Sequence, residues 1–121
     1  EDHLNVYQMI DLCLDTFPHN GVTTTFEALW MGVPVIVLKG KNFCSRCGES
    51  IIKNTKIDGL IAEDLNDYIS KAVNLAKDID KLVKLKEYLY QSVLSSPLFD
   101  TKKFSKNFND ILLETYKINI K

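Results

Sequence analysis

Four consecutive apolar residues, Val35-Ile36-Val37-Leu38, follow directly on Gly32-Val33-Pro34. A half-exposed strand would alternate polar and apolar side chains. An unbroken run rich in β-branched residues fits a strand covered on both faces, as in parallel sheets. Such a strand needs helices to cover it, and its parallel neighbours need crossover connections. The flanking residues supply both. Phe26, Leu29 and Trp30 fall at i, i+3, i+4, which marks one face of a short helix. Gly32 follows as its C-terminal signal, with Pro34 just beyond. Upstream, Ile10-Asp11-Leu12-Cys13-Leu14-Asp15 reads as a short buried strand, and Phe17-Pro18-His19-Asn20-Gly21 as a turn. Strand, helix and strand within about 30 residues make a βαβ unit, whose crossover is right-handed.

Elsewhere helical patterns dominate. Leu4, Tyr7 and Ile10 predict the end of a helix. Cys44 to Asn54 contains another. Gly59-Leu60-Ile61-Ala62 is a candidate third strand. Asp64 is a candidate N-cap for a helix with Leu65, Tyr68, Ile69, Ala72, Leu75 and Ala76 on one face. Ile79, Leu82, Val83, Leu89 and Val93 continue the pattern, joined to that helix or separate from it. Ser95-Ser96-Pro97 breaks it. Asp100 or Thr101 then caps a last helix carrying Phe104, Phe108, Ile111 and Leu112.

Composition narrows the function. The chain has 121 residues, 15 basic and 16 acidic, for a net charge of −1. That balance gives no reason to expect nucleic acid or an anionic membrane as a partner. The longest apolar burst, Val33 to Leu38, is too short to span a bilayer. No signal peptide is visible, so a cytoplasmic location is expected. The chain begins with Glu1 rather than Met and is read as part of a longer protein. Its cysteines number three, Cys13, Cys44 and Cys47. Cys13 reads as a small core residue. Cys44-Ser45-Arg46-Cys47 is formally a CxxC, but a structural zinc site needs a second ligand pair, and only the distant His3 and His19 are available. No metal is expected. Two or three short parallel strands also leave an edge bare. The chain is therefore read as one piece, residues 1–121, of a larger doubly wound domain. Self-association through an exposed sheet edge is a candidate interaction.

Asn20 to Thr25 occupies the place where open parallel sheets bind ligands, beyond a strand's carboxyl end and at the start of a helix. Unpaired N–H groups there bind phosphate. Gly21 lets the backbone approach a ligand. Thr23 and Thr24 add hydroxyl donors, and Glu27, one turn on, is placed to accept from a ribose diol. Thr24-Thr25-Phe26-Glu27 also matches a capping box, in which the threonine caps the helix and the glutamate bonds back. Spacing leaves both readings open. No lysine or arginine stands beside the turn in sequence, so a cation for a diphosphate must come from elsewhere.

The segment LDTFPHNGVTTTFEALWMGVPVIVL closely resembles the nucleotide-sugar-binding segment of the protein O-linked N-acetylglucosamine transferase family, which includes bacterial and SPINDLY-type relatives. SSPLFDTKKF resembles the family's C-terminal motif, and CSRCGES sits where relatives carry a similar Ser-Arg stretch. The resemblance implies an α/β fold, the C-terminal portion of a Rossmann-like lobe of GT-B type, with a short parallel sheet, flanking helices and a helical C-terminus. It implies a glycosyltransferase that moves a sugar, N-acetylglucosamine from UDP-N-acetylglucosamine being the commonest case, to protein side chains. By position Thr23 and Thr24 match the diphosphate threonines and Glu27 an acid that meets the ribose; Gly21 joins the diphosphate site by its place in the turn. The animal enzymes carry a shorter acid at Glu27 and a histidine at Val22. The phosphate lysine, the uracil-binding residues and the tetratricopeptide repeats of the family are expected upstream of Glu1. No catalytic residue is assigned, and no cofactor is expected beside the donor. The alternatives are a nucleotide-binding module without activity of its own, and an interaction domain in which the threonines only cap a helix.

Overall fold

The computed structural model describes residues 2–119. Val35–Leu38 forms the central strand, β2, and all four of its side chains are buried. β1 (Cys13–Leu14) and β3 (Ile61–Ala62) flank it, both parallel, in the order β1-β2-β3. Cys13 lies opposite Val35, and Val37 opposite Ile61. The edge strands are shorter than their apolar runs. The ladder at β1 is held by Cys13 N–H to Pro34 O and Asp15 N–H to Ile36 O, each 2.9 Å, and Ile10–Leu12 lies outside the strand. Among the described residues the outer edges of β1 and β3 are unpaired.

Helix α2 (Thr23–Trp30) joins β1 to β2. It ends where Gly32 permits. Gly32 has φ +74°, its N–H donates to Leu29 O at 3.0 Å, and the Val33 N–H donates to Ala28 O at 2.8 Å. This pair of bonds is the Schellman motif, which closes the helix and aims the chain into β2. Helix α3 (Cys47–Asn54) lies within the Cys44–Asn54 span expected to hold one and begins after a 3-10 turn over Phe43–Ser45. The N-terminal helix is also short: α1 covers Asp2–Asn5, and a 3-10 turn follows over Val6–Met9.

Helices α4 (Leu65–Lys77) and α5 (Ile79–Leu94) are separate, divided at Asp78. Asp64 and Asp78 cap them, accepting from the N–H groups of Asp67 at 2.9 Å and Lys81 at 3.0 Å. Helices α2, α3 and α4 pack on β2, and α5 packs on α2 and α4. One cluster joins Ala28, Leu29, Ile36, Ile52, Leu60, Leu75, Leu89 and Val93. The expected faces of α4 and α5 are buried only in part, since Leu65, Ile69, Ile79 and Val83 remain exposed. In SSPLFDTKKF, Ser96 donates to Val93 O at 2.7 Å and Phe99 sets its ring against Phe26 and Trp30, with centroids 5.9 and 5.0 Å apart. Asp100 then caps α6 (Thr101–Asn119), accepting from Lys103 N–H at 2.9 Å. Every residue of α6 is exposed, Phe104, Phe108, Ile111 and Leu112 included.

Candidate functional site

The carboxyl end of β1 runs into Asp15, and the chain then turns through a cis Phe17–Pro18 bond to Asn20 and Gly21. Two buried or half-buried side chains shape this turn. Asp15 Oδ1 accepts from the N–H groups of Gly21 at 2.7 Å and Thr16 at 2.9 Å. Asn20 is 2% exposed. Its amide donates to Thr16 O at 3.1 Å and its Oδ1 accepts from Gly48 N–H at 3.2 Å, which ties the turn to the start of α3. Tyr68 of α4 donates its hydroxyl to Asp15 O at 2.7 Å.

Helix α2 starts at Thr23, with Val22 at the N-cap position and no side-chain cap. The capping box expected at Thr24-Thr25-Phe26-Glu27 is therefore not formed. The helix begins two residues too early for it, and the threonines lie inside the first turn. Thr25 is buried and donates to Gly21 O at 2.9 Å. Thr23 and Thr24 stand exposed, and among the described residues neither their hydroxyls nor their N–H groups donate a hydrogen bond. Glu27 does not reach back to the cap. Its Oε1 lies 3.2 Å from His3 Nε2. Gly21 sits tight under Thr24, since a Cβ there would stand 2.4 Å from Thr24 Oγ1. A small recess of about 150 Å³ is lined by Gly21, Thr24, Asp15 and Tyr7.

On the other side of Val22 lies an open depression of about 710 Å³, walled by Lys41, Phe43, Arg46 and Lys53. The turn itself carries no lysine or arginine, and these cations line the depression beside Val22. They come from the segment that leaves the carboxyl end of β2 and from α3. The strand-end rule, applied to Leu38 as well as to Asp15, would have pointed to them. Glu49, its side chain 3% exposed, accepts from Lys53 at 2.6 Å and Arg46 at 3.0 Å. The Lys53 ammonium and then the Arg46 guanidinium hold its carboxyl below the usual range, against the opposing effect of burial. A lowered value means that Glu49 stabilises the fold above its ordinary value of 4.5 and that this contribution is lost as pH falls through the lowered one. Glu49→Gln should be less stable than the parent at neutral pH, with the gap closing in acid, as measured by denaturant melts across pH. A gap that is independent of pH would refute the ion-pair account.

Cys44 and Cys47 are free thiols, and Cys47 Sγ lies 3.3 Å from Phe43 O. Among the described residues no three His, Cys, Asp or Glu side chains converge as a metal cluster, and no helix is long and apolar enough to cross a membrane.

The sequence model of glycosyl transferase family 41 matches residues 1–108. The chain belongs to that family. A tomato (Solanum lycopersicum) protein named "Probable UDP-N-acetylglucosamine--peptide N-acetylglucosaminyltransferase SPINDLY" is 37% identical over 110 residues, which is 91% of this chain and 12% of the tomato protein. The Caenorhabditis elegans UDP-N-acetylglucosamine--peptide N-acetylglucosaminyltransferase is 32% identical over 117 residues, covering 97% of this chain and 10% of that one. Among solved structures, a mutant of the Thermobaculum terrenum O-GlcNAc transferase superposes with a TM-score of 0.85 at 35% identity, over 92% of this chain and 21% of its own. The chain thus spans about a tenth of these curated relatives. Its fold, three short parallel strands with flanking helices and a helical C-terminus, is the family 41 portion of a GT-B-type architecture expected from sequence.

Proposed function

We propose that this family 41 chain holds the diphosphate of a nucleotide-sugar donor at the Gly21–Thr24 corner, within an enzyme that transfers the sugar, N-acetylglucosamine from UDP-N-acetylglucosamine, to protein side chains. The single observation that carries it is the state of the α2 start: Thr23 and Thr24 exposed, with hydroxyls and N–H groups unspent among the described residues. A helix start adds partial positive charge to those donors. In glycosyl transfer the nucleotide diphosphate is the leaving group, so donors aimed at it stabilise charge that grows in the transition state. The names of the tomato and nematode relatives support the donor and a protein acceptor. The test is calorimetric titration of the full-length enzyme with UDP, beside its Thr23→Val/Thr24→Val double variant. Loss of binding in the variant supports the reading; equal binding refutes it.

Glu27 is assigned to the ribose of the donor. With the capping box unformed, its carboxylate meets the exposed His3 side chain at 3.2 Å and lies beside the Tyr7 hydroxyl. Glu27→Gln should raise donor KM several-fold, about 1 kcal/mol for a weakened hydrogen bond, and leave kcat nearly unchanged, because the ribose is remote from the reacting carbon. An unchanged donor KM in steady-state assays would sink the ribose assignment and leave the threonines standing.

A further inference from the structure

Asp15 reaches no ligand in this scheme, yet the corner is organised around it. One carboxylate oxygen accepts from Gly21 N–H at 2.7 Å and Thr16 N–H at 2.9 Å. The other, Oδ2, is buried and has no hydrogen-bond partner among the described residues. An unpaired, dry carboxylate oxygen is costly. Burial accordingly pushes the Asp15 carboxyl above its usual range, against the opposing pull of Gly21, Thr16 and His19. The surroundings are built to admit it. A Cβ on Gly48 would stand 2.5 Å from Oδ2, so a glycine faces the carboxylate at the start of α3. A folded chain that retains such a group against stability points to a use for it.

The use follows from what the carboxylate holds. Gly21 is free in backbone conformation, and the Asn20-Gly21-Val22 link would otherwise sample many shapes. Ordering it at the moment of binding would weaken donor affinity. A short bond from an N–H to a carboxylate is stronger than one to a neutral acceptor. We infer that Asp15 is the positioning residue of the diphosphate corner: through the Gly21 N–H its carboxylate presets the turn that presents Thr23 and Thr24. This rests on the donor-site reading above and adds to it a residue outside ligand contact.

The experiment compares Asp15→Ala, Asp15→Asn and the Thr23→Val/Thr24→Val double variant in the full-length enzyme. UDP Kd is measured by calorimetry, donor KM and kcat by steady-state assay, and stability by thermal melting. Asp15→Ala should weaken UDP binding and raise donor KM by about tenfold to a hundredfold, with kcat at saturating donor changed far less. Asp15→Asn, whose amide oxygen still accepts from Gly21, should return UDP binding to within about fivefold of the parent. A merely structural role would lower the melting temperature and leave the Kd of the folded protein unchanged, and that result overturns the inference. A weakened double variant beside an unchanged Asp15→Ala overturns it alone. An unchanged double variant removes the donor-site reading and the inference with it. Should Asp15→Ala fail to fold, Asp15→Asn carries the test, and a loss as large as that of the double variant overturns the inference.

Discussion

Replacing Thr23 and Thr24 together by valine should lower kcat/KM for the donor by roughly two to four powers of ten in the full-length enzyme, on the assumption of one charge-assisted bond per hydroxyl. Valine keeps the shape of threonine and removes only the hydroxyl. Both side chains are exposed and donate to nothing among the described residues, so the fold loses no bond. A hydrogen bond to a charged group is worth about 1.5–3 kcal/mol, and about 1.4 kcal/mol is a tenfold change in rate. The backbone N–H groups at the α2 start survive the substitution, so the loss is partial. Thr25 is the internal contrast. Its hydroxyl is buried and spent on Gly21 O, so removing it should tell on stability before catalysis. Steady-state kinetics with varied donor decide the matter, and an unaltered kcat/KM in the double variant would end the diphosphate assignment.

Gly48→Val should be the most damaging single change to the fold near the site. A Cβ at position 48 would stand 2.5 Å from Asp15 Oδ2, 2.9 Å from Val37 Cγ1 and 3.2 Å from Val37 Cβ. None of these neighbours yields easily. Val37 is fully buried in the central strand, and Asp15 is pinned by two N–H donors. Overpacking of this kind costs about 1–3 kcal/mol, and the branches of valine add to what a bare Cβ provokes. The same displacement would pull Gly48 N–H from Asn20 Oδ1. Thermal or denaturant melting should show a loss of at least about 2 kcal/mol, together with weakened UDP binding. A variant as stable as the parent would show that α3 shifts freely on the sheet.

The βαβ unit was legible because its signals are local. Val35–Leu38 announces a doubly covered strand, and Gly32 marks the helix end by a backbone geometry that few other residues adopt. The cap at Asp64 was legible for the same reason, and Asp100 was one of two candidates for the last helix. The start of α2 was not. Three threonines in a row offer three possible registers for a cap, and sequence cannot tell which begins the helix. The structure places all three inside it, because Gly21 O is taken by Thr25 and Val22 occupies the cap position. Asp15 and Asn20 were visible only as a strand end and a turn former. Their partners, Gly48 and Tyr68, lie far along the chain. The cations at Lys41 and Arg46 were not read, although the expected parallel pairing of β1 and β2 puts both strand ends at one edge. The exposed apolar face of α6 shows the limit of periodicity, which identifies a face and not its cover.

The bonds that shape the corner differ in reach along the chain. Asp15 to Gly21 closes a short loop, but Asn20 to Gly48 spans 28 positions and Tyr68 to Asp15 spans 53. Long closures form late, because their entropy must be met before their contacts repay it. The final shape of the turn therefore depends on contacts to α3 and α4. A peptide copied from Asp15 to Trp30 would carry every residue assigned to the donor and lack the contacts that arrange them. Grafted onto another scaffold, the motif would be a sequence without a shape. With the donor at this corner as proposed, local opening of α4 is expected to loosen the turn through the lost Tyr68–Asp15 bond and so to couple donor affinity to the docking of α4.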